Sequence, residues 1–193
     1  MSEYSLVDIR RDGQIATIEL RQLSKASREA AAKAEGKKRG AQRAAEVARA
    51  LNELRDDLSV RVIVVTGKDD VFTNPPSNYG HHGDPAGDWD IMNGVTRAVE
   101  VLCTIEKPVI AKVNGDAVGF GANLVLGCDF IVAREDAVIA DHHMSGGELA
   151  IDGALKGSAD HCMVPGDGGS VFAPLKMPLN VAKEYLMLAR PFT

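Results

Sequence analysis

Apolar and polar residues alternate from Tyr4 to Arg10 and again from Gln14 to Leu20, with Asp12-Gly13 between them. An Asp-Gly pair between two period-2 runs predicts a β-hairpin. The spacing then changes. Val47, Leu51, Leu54 and Leu58 recur at i, i+4, i+7 and i+11, which is one apolar stripe of a helix. Val60 to Thr66 is a continuous apolar run closed by Gly67, the pattern of a buried strand. Ile91, Val95, Val99 and Leu102 mark a second helix, with Asp88 placed to start it. Val109 to Val113, after Pro108, is another buried strand rich in β-branched residues, and Asn114-Gly115 turns the chain. Gly119, Phe120 and Gly121 lead into an apolar helical segment, Ala122 to Leu126, that stops at Gly127. Pro178 precedes a last helix from Leu179 to Leu188. A helix followed by a continuous apolar strand, twice over, predicts an α/β fold with parallel strands.

Composition narrows the function. The chain has 193 residues, 45% of them hydrophobic, enough for one domain with its own core. A net charge of −5 argues against nucleic acid as a partner of the whole surface. No apolar run reaches the length of a membrane span. The N-terminus has no basic-then-apolar signal pattern. Three cysteines form no C-x-x-C pair, and Cys103 and Cys128 lie in apolar segments, so both read as buried free thiols of a reducing compartment. The expectation is a soluble cytoplasmic protein. Arg21 to Arg43 departs from the rest: it is Ala/Lys-rich, and from Lys25 onward carries seven basic residues to two acidic. It reads as a solvated helix or loop, or as a basic rim for phosphates. His81, His82, Asp84, Asp88 and Asp90 follow no diagnostic ligand spacing, so no metal is expected there.

The stretch from Glu106 to Asp129 carries the chemistry. A strand, a glycine-bearing turn and a buried helix put unpaired N–H groups at the helix start. Glycine lets another molecule approach that backbone, and the helix dipole favours negative charge. Such a helix start can hold a developing oxyanion.

Lys107-Pro108-Val109-Ile110-Ala111, then Val113-Asn114-Gly115, then the turn into a helix ending at Cys128-Asp129, resembles the enoyl-CoA hydratase/isomerase (crotonase) superfamily. The likeness continues through Asp129–Ala133 and upstream through Arg61–Gly67, and covers roughly residues 4–20 and 44–193. It implies a ClpP/crotonase-like spiral of ββα units in one domain, residues 1–193, with residues 144–161 read as an insertion. It also implies that the fold is truncated at the C-terminus, where relatives continue with helices that close the pocket and build trimers or hexamers. From that, either a monomer with exposed apolar surface or a different oligomer is expected.

The resemblance also implies site residues. The Phe120 amide matches the group that binds the thioester oxygen, next to Gly121. Asn123 and His143 match the two usual catalytic glutamates. A histidine can act as a base near neutral pH, whereas Asn123 cannot accept a proton. Pro76 falls where the second oxyanion amide is expected, and proline has no N–H. Pro165-Gly166-Asp167-Gly168 resembles a branch of β-diketone hydrolases in which this Asp and a preceding His are catalytic. That branch also shows F-x-N, here Phe72–Asn74, and D-W-D, here Asp88–Asp90. Asp167 is therefore the first catalytic candidate, with Trp89 and Asn74 as substrate contacts. The implied activity is enolate stabilisation on an acyl-CoA, as in a hydratase or isomerase. Hydrolytic C–C cleavage of a β-diketone and an inactive binding paralogue are the alternatives. No cofactor is implied, since coenzyme A would enter as part of the substrate.

Overall fold

The computed structural model describes residues 4–21, 36–73, 85–141, 143 and 166–192. The hairpin forms as its alternation predicts. Strands β1 (Val7–Asp12) and β2 (Ile15–Leu20) pair antiparallel, with Asp12 opposite Ile15. Helix α1 (Gly36–Asp56) follows, then β3 (Val62–Gly67), β4 (Val71–Thr73), helix α2 (Pro85–Thr104), β5 (Val109–Val113) and β6 (Asp116–Val118). Helix α3 (Phe120–Gly127), β7 (Phe130–Ala133), β8 (Ile139–Ala140), α4 (Gly169–Lys176) and α5 (Leu179–Leu188) complete the described chain.

Two sheets result. The larger has the order β1-β2-β3-β5-β7, and every pairing after the hairpin is parallel. The smaller has the order β4-β6-β8, also parallel. From β3 onward the chain alternates between them, so β3, β5 and β7 are each followed after a short connection by a strand of the other sheet. Asn114 pins two of these crossings together. Its side chain accepts from the Gly67 N–H at 2.9 Å and donates to the Asp69 carbonyl at 2.8 Å.

The main core lies under α1, where Val47, Leu51 and Leu54 meet Ile18, Leu20, Ile63 and Val65. Each fully buried aliphatic side chain of this kind contributes roughly 1.5–3 kcal/mol. A second core joins α3, α4 and α5 through Leu126, Phe172, Ala173, Ala182 and Tyr185. Phe192 closes it, exchanging both backbone hydrogen bonds with Ile139 of β8 at 2.9 and 3.0 Å. No helix among the described residues is long and apolar enough to cross a membrane.

Three sequence expectations are corrected. Leu58 does not belong to the α1 stripe: the helix ends at Asp56, and Leu58 is 91% exposed. Asp57 takes the Ser59 N–H and hydroxyl on its carboxylate, and Lys107 Nζ donates to the Leu54 and Asp57 carbonyls. That cap ends the helix and turns Leu58 outward. Helix α2 begins at Pro85, not at Asp88, since proline suits a first helical turn. Cys128 is a buried free thiol, but Cys103 is exposed. The basic segment is helical from Gly36 onward, and the rest of it, like residues 144–161 that were read as an insertion, lies outside the described residues.

Candidate functional site

Four polar side chains meet where α3, β8 and the turn before α4 converge. Asn123 projects from the first turns of α3, Asp141 and His143 leave the end of β8, and Asp167 sits just ahead of α4. All four are buried: Asn123 is 0% exposed, Asp141 2%, His143 6% and Asp167 6%. The helix start is fastened to this point, because the Gly119 N–H donates to the Ala140 carbonyl at 2.9 Å.

Close packing brings the elements together. A β-carbon on Gly121 would lie 1.8 Å from Thr73 Oγ1. Thr73 accepts the Val118 N–H at 3.1 Å and donates to the Val118 carbonyl at 3.2 Å, so β4 holds the turn that begins α3. A β-carbon on Gly169 would lie 2.7 Å from Asn123 Oδ1 and 2.8 Å from Asp141 Oδ2. Glycine there lets the start of α4 press directly on the polar cluster.

The cluster is internally hydrogen-bonded. His143 Nδ1 lies 2.6 Å from Asp141 Oδ1, and the His143 backbone N–H donates to the same oxygen at 2.9 Å. Asn123 Nδ2 donates to Asp141 Oδ2 at 3.0 Å and also to Asp167 Oδ1. On the other side of the ring, His143 Nε2 is 3.6 Å from Asp167 Oδ2. One imidazole therefore lies between two carboxylates, fixed on one side and facing the other.

These contacts separate the three ionisations. Burial opposes charge on Asp141, but the His143 hydrogen bond and charge outweigh it and hold that carboxyl below its ordinary value. Burial likewise opposes the imidazolium of His143. The Asp141 hydrogen bond and the charges of Asp167 and Asp141 overcome this and hold the ring at about 8. Burial raises the Asp167 carboxyl to about 6; the Asp141 charge pushes the same way, while His143 and Asn123 pull it down. At neutral pH the predominant state is an ionised Asp167 facing a protonated His143, a base beside an acid.

The same three groups have ligand atoms within 4.8 Å of one another, close enough to gather a divalent cation. Two contacts oppose that use. A cation on Asp141 Oδ1 would break the 2.6 Å contact to His143, and Asn123 presents an N–H, not an oxygen, to both carboxylates. The donor set suits proton transfer better than metal ligation.

Of the residues singled out in the sequence, Asn123, His143 and Asp167 are brought together. Phe120 opens α3, and its N–H, with those of Gly121 and Ala122, precedes the first helical bond, from Asn123 N–H to the Gly119 carbonyl at 3.1 Å. Gly121 is buried against Thr73. Trp89, expected as a substrate contact, lies on α2 and is 70% exposed. Asn74 and Pro76 lie outside the described residues. Asp141 was missed; its signal was an Asp two residues before a His at a strand end, close enough to hold the ring nitrogen.

Comparison with known proteins agrees with this architecture. The family model described as Enoyl-CoA hydratase/isomerase matches residues 40–193. A carnitinyl-CoA dehydratase from Salmonella enteritidis PT4 is 31% identical over 137 residues, covering 70% of this chain and 47% of that protein. The chain thus spans about half the length of the curated relatives it matches. An enoyl-CoA hydratase/isomerase structure from Mycobacterium paratuberculosis superposes with a TM-score of 0.74 at 26% identity, covering all of this chain and 69% of that one. An enoyl-CoA hydratase subunit from Geobacillus kaustophilus superposes with a TM-score of 0.69 at 26% identity, over all of this chain and 65% of its own.

Proposed function

Since the chain belongs to the enoyl-CoA hydratase/isomerase family, we propose that it acts on a CoA thioester through an enolate, with Asp167 as base and His143 as acid. The observation that carries this reading is the buried Asp141–His143–Asp167 array, in which one carboxylate orients the ring and the other faces it. The Phe120 N–H donates to the thioester oxygen as negative charge develops there, aided by the positive end of α3. Asp167 takes a proton from the incoming oxygen nucleophile or the carbon acid. His143 returns a proton on the other side of the reacting bond. Asp141 keeps the ring in one orientation and stabilises its charge. Asn123 keeps the two carboxylates apart by donating to both. The histidine and aspartate thus take the work that the family usually gives to two glutamates.

A second reading, hydrolysis of a β-diketone, is favoured by the same oriented imidazole, which can activate water for attack on a ketone. The test is a paired measurement on the wild-type protein: calorimetric binding and turnover of crotonyl-CoA, beside cleavage of a cyclic β-diketone. Thioester turnover is expected. Diketone cleavage without thioester turnover would replace the first reading by the second, and thioester binding with neither turnover would point to a binding paralogue.

A further inference from the structure

Helices α1 and α2 pack side by side, and an open cleft of about 990 Å³ lies against both and against the chain at Tyr4 and Ser5. Ala45, Ala48 and Val101 are short side chains and leave the space; longer ones, four of them arginines, surround it. Its size is that of a small-molecule site. The catalytic array is not part of it. Helix α2 turns Val99 toward Gly168 and Leu102 toward Gly127, and turns Arg97, Glu100 and Thr104 to the cleft. The helix thus stands between the two.

The protein as a whole carries a charge of −5, yet four arginines line this cleft to two glutamates. Several of these charges are already engaged. Arg21 is tied to Asp8, and Arg55 to Asp56. Glu46 is 5% exposed and serves the N-terminal chain, accepting the Ser5 hydroxyl and the Leu6 N–H at 2.7 Å and the Ser5 N–H at 3.0 Å. Two guanidiniums, both exposed, have no carboxylate. Arg49 lies 4.5 Å from the centroid of the Tyr4 ring, and Arg97 makes no hydrogen bond or ion pair among the described residues.

The neutral groups add a second requirement. Asn52 Nδ2 donates to the Ala48 carbonyl at 2.9 Å, and the Thr104 hydroxyl donates to the Glu100 carbonyl at 2.8 Å. With those hydrogens used, Asn52 Oδ1 and Thr104 Oγ1 remain as acceptors. A guanidinium presents forked donors that match phosphate oxygens, and one stands on each helix. The acceptors match hydroxyl groups. A phosphorylated molecule with several hydroxyls supplies both.

We propose that the α1–α2 cleft is a second ligand site, separate from the catalytic array, that takes a polyhydroxylated small molecule with two phosphate groups. Arg49 and Arg97 are its phosphate contacts. A sugar bisphosphate and a nucleoside diphosphate share this chemistry. The site stands whichever reaction the array performs.

The test is calorimetric titration of the wild-type protein with fructose 1,6-bisphosphate and, separately, with ADP. Inorganic phosphate is the control for charge alone. One of the two organic phosphates is expected to bind with a Kd below about 1 mM, and inorganic phosphate more weakly. Added salt should weaken the binding. Arg49→Gln and Arg97→Gln should each weaken it roughly ten- to a hundredfold. Thermal midpoints should stay near that of the wild type, since neither change breaks an ion pair. Crotonyl-CoA at saturation should leave the bound ligand in place. Three results overturn the proposal: no binding of either organic phosphate or binding no tighter than that of inorganic phosphate; unchanged binding in a folded protein carrying both substitutions; or displacement by crotonyl-CoA, which would put the ligand in the thioester site.

Discussion

Replacing Asp141 by Asn keeps the side-chain shape and removes one charge. In the wild type burial opposes the imidazolium, and the Asp141 hydrogen bond with the charges of Asp167 and Asp141 holds His143 at about 8, against an ordinary 6.5. At 1.36 kcal/mol per pH unit, the gap corresponds to about 2 kcal/mol of folding stability. Because the folded value lies above the unfolded one, this stabilisation is fully present below pH 6.5 and is lost as the pH rises through 8. Without Asp141, burial is offset only by the Asp167 charge, and the ring should titrate well below its wild-type value. A second cost does not depend on pH. Asp141 accepts from His143 on one oxygen and from Asn123 on the other. Asn has a single oxygen, so its NH2 group must face one of those donors, adding roughly 1–3 kcal/mol. Titration of the His143 ring protons by NMR, with urea unfolding at pH 6 and pH 9, measures both parts. The loss in Asp141→Asn should be larger at pH 6 than at pH 9, by up to about 2 kcal/mol. A ring still titrating near 8, or equal losses at the two pH values, would refute the assignment of Asp141 as the partner that sets this histidine.

Other consequences follow from the same contacts. Gly169→Ala forces a β-carbon to 2.7 Å from Asn123 Oδ1, and both neighbours are fixed by hydrogen bonds; unfolding should show a loss of roughly 1–3 kcal/mol, together with impaired turnover. Asn123→Asp exchanges the donor between two carboxylates for a third acid, so the thermal midpoint should fall at pH 8 and partly recover at pH 5, where carboxyl groups begin to bind protons. Cys128 is buried with its thiol pushed up to about 12, whereas Cys103 is exposed; peptide mapping after brief alkylation of the native protein should find label on Cys103 and none on Cys128.

The longer elements were legible because their patterns are local. The β1–β2 hairpin is written in alternation around Asp12-Gly13, and β3 and β5 are written as β-branched apolar runs. The second sheet was not legible, since strands of two or three residues such as β4, β6 and β8 are too short to show a period. The site divides in the same way. Asn123, His143 and Asp167 were found by matching them to a family pattern, and they fall into one cluster. Asp141 was passed over. An Asp at a strand end looks like a turn residue. What distinguishes it is that its carboxylate meets His143 on one oxygen and Asn123 on the other, the second contact being made across the fold between β8 and α3.

The assignment of Asp167 as the base is tested most directly by Asp167→Asn. Asn keeps the shape, can still accept from Asn123 and suits the same turn, so the fold should be retained. With crotonyl-CoA as substrate and thermal midpoints measured alongside, turnover should fall by roughly two to four powers of ten with the midpoint nearly unchanged. Turnover equal to that of the wild type in the folded variant would contradict the role of Asp167 and, with it, the acid–base pairing with His143.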